Sequence, residues 1–221
     1  FAPFLNGREI ARSNSGAPGS YVWHEQIAFH NHTAGAPQTF ALGQANVRLQ
    51  PGKNVLAIQI LNSNIGDGRL PCAATLRLGG AAPQSFVLPS DQWSYFAGTH
   101  EPSGGVYDAA DFGAQYPLGP NWTQPAFNDT TWPQGTGAFG FDSAPDYNAQ
   151  IGTDIEGQMR GIAHSLYQRR AFNLSQNEFD GLTATTLTVD WDDGYVLYLN
   201  GYELGRGNLP GSPGTFITFN Q

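Results

Sequence analysis

The chain has 221 residues, room for one large β-domain or two small ones. Hydrophobic residues make up 40% and charged residues only 13%, with 28 Gly and 15 Pro, a mixture that excludes a helical bundle, a coiled coil and a charge-driven disordered tail. Ten Lys and Arg against 18 Asp and Glu leave a net charge of −8, which repels phosphate backbones, so no nucleic-acid partner is expected. No apolar run reaches the roughly 20 residues of a membrane helix, so no membrane insertion is expected either. The single Cys72 rules out an internal disulfide framework and a CxxC metal or redox site. With neither an initiator Met nor a signal-like segment, the chain is expected to begin after processing or inside a longer protein.

In chain order, Asn54–Ile60 reads as a strand with Val55, Ala57 and Gln59 on one face and Leu56, Ile58 and Ile60 on the other. Further strands are predicted over Ala73–Leu78, Leu182–Val189 and Tyr195–Leu199, rich in β-branched and aromatic residues. Turn signals separate them at Pro51-Gly52, Gly66-Asp67-Gly68, Asp193-Gly194 and Asn200-Gly201. One brief helix is predicted over Ser175–Phe179, where Ser175 caps and Glu178 completes a capping box. The fold class is therefore all-β: an antiparallel β-sandwich or jelly roll with long loops and little helix.

A repeat alters the domain picture. The segment from Phe4 to Asn14 returns from Tyr198 to Asn208 with Leu, Asn, Gly, Glu, Arg and Asn at the same spacing, 194 residues later. Each copy reads as a hairpin, because Asn-Gly supplies the two positive-φ positions of a tight turn. Residues 1–80 then read as the back half of one sandwich module, 81–92 as a linker, and 93–221 as the front part of the next. An unfinished sandwich leaves a strand edge and an apolar face uncovered. It is completed within the chain, by a neighbouring copy head to tail, or by the rest of a longer tandem protein.

The residues Ala126–Trp132 followed by Gly135–Phe141, the strand Gln168–Leu174, the hairpin Asp192–Gly201 and the strand Leu49–Ile58 resemble, in permuted order, the galactose-binding-domain-like modules of large secreted bacterial proteins. The resemblance spans most of the chain and departs from the family pattern in a long insertion, Gly104–Pro120. It implies a secreted or cell-surface jelly-roll module that binds sugar or serves as a structural spacer, and it brings no catalytic residues. The buried positions of that family correspond to Trp93 and Trp132, which are assigned to packing.

Asp190, Asp192 and Asp193, with Asn200 nearby, form the densest oxygen cluster. They offer a Ca²⁺ site or, alternatively, a turn at Asp193-Gly194 in which Asp192 accepts from backbone N–H groups. Asp142, Asp146, Asp154 and Glu156 form a second acidic group whose spacing fits no metal-binding loop. His24, His30 and His32 invite a Zn²⁺ or Cu²⁺ reading through the His-x-His pair, against that of a solvated edge. Trp23, Trp122, Tyr147 and Trp191 are the candidates for stacking on a sugar, with core filling as the rival.

No nucleophile elbow occurs, and nothing fixes two carboxylates across a cleft, so no catalysis is expected. Asn31, Asn121, Asn128 and Asn173 head N-glycosylation acceptor motifs. The chain contains one Lys, Lys53, and its scarcity of charge suits a surface that packs against its own copies. The expected function is a non-catalytic extracellular structural or adhesive module, part of a filament or surface assembly of copies. The alternative is a carbohydrate-binding module whose glycan is held with the help of calcium.

Overall fold

The computed structural model describes residues 4–5, 8–9, 24–42, 49–79, 84–100, 102, 121–144 and 146–209. Their strands, in chain order, are β1 (Phe4–Leu5), β2 (Arg8–Glu9), β3 (Gln38–Ala41), β4 (Gly52–Leu61), β5 (Cys72–Gly79), β6 (Gln84–Val87) and β7 (Gln92–Ala97). They continue with β8 (Gln134–Thr136), β9 (Phe139–Gly140), β10 (Thr153–Asp154), β11 (Ser165–Leu174), β12 (Ala184–Trp191), β13 (Gly194–Leu199) and β14 (Tyr202–Gly207). Two short helices, α1 (Glu156–Met159) and α2 (Gln176–Asp180), lie before β11 and after it.

Apart from β1 and β2, which pair as a two-stranded sheet of their own, the strands form an all-β sandwich of two sheets. One six-stranded sheet runs β10-β9-β5-β12-β3 with β6 on the other side of β5, and the second runs β14-β13-β4-β11-β7-β8. Nearly every pairing is antiparallel; β9 and β10 run parallel. β4 lies between β13 and β11, pairing Leu61 with Gly194 on one side and with Ser165 on the other. β5 pairs with β12 from Cys72↔Trp191 to Gly79↔Ala184. Strands from residues 38–79 and from 84–209 thus share both sheets within one chain. Part of the segment expected to be a linker is strand: β6 pairs with β5 through Leu76↔Val87 and Leu78↔Gln84.

Both faces of β4 are buried, which explains why its sequence is apolar on both sides. Leu56, Ile58 and Ile60 join the core between the sheets together with Leu76, Leu187, Val189 and Leu197. Val55 and Ala57 point outward and are covered by Trp122, Trp132 and Leu209. The cover is held down by Arg169 of β11, whose guanidinium pairs with Asp129 at 3.2 Å, donates to the Gln124 carbonyl at 3.0 Å and sits over the Phe127 ring. Trp93 and Trp132 are both buried. Trp122 is fully buried, edge-on to Tyr167 and Tyr198, so no face of it is open to a sugar ring.

The two hairpins of the repeat close in the same register. Phe4↔Glu9 and Leu5↔Arg8 correspond, 194 residues on, to Tyr198↔Glu203 and Leu199↔Tyr202. In the second hairpin Asn200 and Gly201 take φ of 51° and 86°, as a tight Asn-Gly turn requires. Among the described residues no helix is long and apolar enough to cross a membrane.

Candidate functional site at the long-loop end

The two ends of the sandwich are built differently. At one end β13 turns into β14 through Asn200-Gly201, and β11 passes to β12 through the single turn of α2. At the other, residues 62–71 join β4 to β5, residues 141–164 carry β10 and α1 into β11, and residues 24–37 lead into β3. The segments 24–37 and 62–71 are coil, bend and turn in the main, so their backbone groups need partners from elsewhere.

The link between β12 and β13 supplies them. Asp190 accepts from the Gly35 N–H at 2.8 Å with one oxygen and from the Tyr147 hydroxyl at 2.7 Å with the other. Asp193 accepts from the N–H of His32 at 2.7 Å and of Ser63 at 2.8 Å. Asp192, between them, accepts from the Ala34 N–H. Three acids, Asp190 near the end of β12 and Asp192 and Asp193 in the link, thus pin the segment 32–35. Asn208, just past β14, adds donors to the carbonyls of Asp193 and His30, and its own carbonyl accepts from the Phe29 N–H.

Burial sets the electrostatics here. Asp192 is pushed up to about 8, first by burial and then by the neighbouring charges of Asp193 and Asp67. At neutral pH it is therefore mostly protonated. Burial, with the adjacent Asp190 carboxylate, raises the Tyr147 hydroxyl, which keeps it a donor. Burial also pushes the Cys72 thiol up to about 12, so it stays a neutral core group.

The acids act as braces where a calcium site was one expectation. Among the described residues no group of three or more His, Cys, Asp or Glu side chains is arranged to hold a metal ion. The second acidic group is also divided. Asp142 pairs with Arg69 at 3.1 Å and accepts from the N–H of Ala144 and Tyr147, Asp154 accepts from the Glu156 N–H, and Glu156 pairs with Arg160. Of the three histidines, His30 and His32 line one cleft and His24 is not among its lining residues. His24 lies 3.9 Å from Glu25, while His32 stacks on Trp191 with ring centroids 4.3 Å apart and 9° between planes.

A cleft of about 430 Å³ opens beside this brace, lined by His30, His32, Gln38, Trp191, Tyr195 and Asn208 among others. Gly207 allows its floor to form, since a Cβ there would meet the Tyr195 ring at 2.4 Å. His32 donates from Nδ1 to the Trp191 carbonyl at 2.9 Å, which orients its ring. Of the four aromatic candidates, Trp191 alone lines the cleft, and His32 covers one of its faces. Tyr147 is half-buried and tied to Asp190, Trp122 belongs to the core, and Trp23 lies outside the described residues. Gln38, Tyr195 and Asn208 were not expected at a site; only the recurrence of Asn14 as Asn208 drew notice to one of them.

No family model, no curated protein and no solved structure matches the chain.

Proposed function

We propose that the protein is a non-catalytic extracellular module of structural or adhesive kind that makes its contacts through the long-loop end. The observation that carries this reading is the brace of three acids, Asp190, Asp192 and Asp193. It fixes a loop face in place from the end of β12 and the two residues that follow it, giving a preorganised surface for a partner. The resemblance to secreted modules supports the location.

Beads coated with the protein test the reading. They should adhere to one another or to an insoluble polysaccharide, and beads coated with the Asp193→Ala variant should adhere less. Beads that stay dispersed on both surfaces, or turnover of a glycan substrate, would contradict it.

A further inference from the structure

We infer that the outer edge of β14 takes the β1–β2 hairpin of a second copy of this chain; the contact lies on a sheet edge and is independent of the long-loop reading above. β14 is the end strand of its six-stranded sheet, paired on one side by β13 and, among the described strands, by none on the other. Leu204, Gly205, Arg206 and Gly207 are nevertheless buried. β1 lies against β14 without joining its ladder, and pairs with β2 in a two-stranded sheet outside both large ones. The element beside this edge thus belongs to neither sheet.

The repeat shows which side of the hairpin is built to pair. β1–β2 closes in the register of β13–β14, and in that later hairpin the first strand, β13, pairs on its far side with β4. β1 presents the equivalent edge. An isolated two-stranded hairpin is marginal in water and gains by entering a sheet. Docked on β14, it extends the order β4-β13-β14 by one more hairpin. The register shift at Leu197/Tyr198 leaves Leu204 as the extra residue of β14, so the regular edge on either side of it is short, as β1 is. No exposed charge guards that edge. β14 contains no Lys or Pro, and its two charged side chains, Glu203 and Arg206, pair with each other inside the fold. Residues 10–23 tie the hairpin to the described chain at His24, and 14 residues reach up to about 50 Å when extended, enough to deliver it to a neighbour. Reciprocal exchange closes a pair of copies, and one-way exchange builds a chain of them.

Light scattering over a range of concentrations, on the full chain and on the variant Phe4→Pro with Leu5→Pro, tests the inference. The parent should gain mass with concentration. The double variant, which strips β1 of its N–H groups, should need at least tenfold more protein to reach the same mass. It should keep the parent's melting temperature, because the hairpin is part of neither large sheet. A second measurement does without proline: copies carrying Leu5→Cys are mixed with copies carrying Tyr202→Cys and oxidised, the native Cys72 being buried. Mixed disulfide dimers should form there and not when the second partner carries Asp180→Cys, at an exposed position of α2. A parent that stays monomeric at every concentration, or mixed dimers that form equally with the Asp180→Cys partner, would overturn the inference and leave the long-loop reading untouched.

Discussion

Ser175 and Glu203 help to hold one end of the sandwich, Asp190 and Asp193 the other, and they reach very different distances along the chain. At the short-turn end, Ser175 and Glu178 form a capping box around the start of α2, and Glu203 pairs with Arg206 three residues later. Asn54 accepts and donates within the turn at Gln50–Gly52. At the long-loop end, Asp193 reaches His32 and Ser63 across 161 and 130 residues, and Asp190 reaches Gly35 across 155. Asn200 apart, which accepts from the Val55 N–H and donates to Asn54 across 145 and 146 residues, these bonds at the short-turn end join near neighbours in sequence, whereas those of Asp190 and Asp193 exist only in the finished fold. A loop surface assembled in this way forms only after both sheets have closed, and it is the surface that carries the cleft.

The largest expected effect sharpens the local side of this comparison. Arg206 is 0% exposed and its partner Glu203 6%, bound through two nitrogens at 2.6 and 2.8 Å. Arg206→Ala takes a bidentate guanidinium away from a buried carboxylate and should lower stability by about 3–5 kcal/mol, read by denaturant unfolding. A loss under 1 kcal/mol would mean that the short-turn end does not depend on its local pairs.

A smaller effect separates the ends by pH. Asp192 is raised to about 8 in the folded protein, while an unfolded Asp titrates near 4. The folded state therefore holds this proton more tightly. Its contribution is fully present below about pH 4, declines as pH rises, and is lost above about 8. Asp192→Asn, which keeps an acceptor for the Ala34 N–H, should remove that slope. It should raise the melting temperature by roughly 2–4 °C at pH 9 and change it little at pH 4. An unchanged slope would show that Asp192 is not held neutral beside Asp193 and Asp67.

The same contrast explains what was legible in the sequence. Predicted strands at Asn54–Ile60, Ala73–Leu78 and Tyr195–Leu199 fall inside β4, β5 and β13, and the capping box at Ser175 stands as written, because periodicity and capping are short-range signals. The Asn200-Gly201 turn was legible for the same reason. β6 was not, since Gln84–Val87 is short and sits among Ala and Pro that read as a linker. The acids at 190–193 were singled out by density alone, and composition does not tell a metal ligand from a brace. Their partners at Gly35, His32 and Ser63 are backbone N–H groups, which carry no signature in side-chain identity. Of the cleft residues, Gln38 comes from an edge strand of one sheet and Asn208 from just past an edge strand of the other, a juxtaposition that exists only in the folded topology.

Backbone amide hydrogen exchange at His32, Gly35 and Ser63 tests the central claim, that carboxylates distant in sequence hold the long-loop end. The account predicts protection at all three, although they lie in loops, and in the Asp193→Ala variant a loss of protection at His32 and Ser63 while Val55, held by Asn200 at the other end, keeps its own. Exchange at His32 and Ser63 as fast in the parent protein as in an unstructured peptide would contradict it.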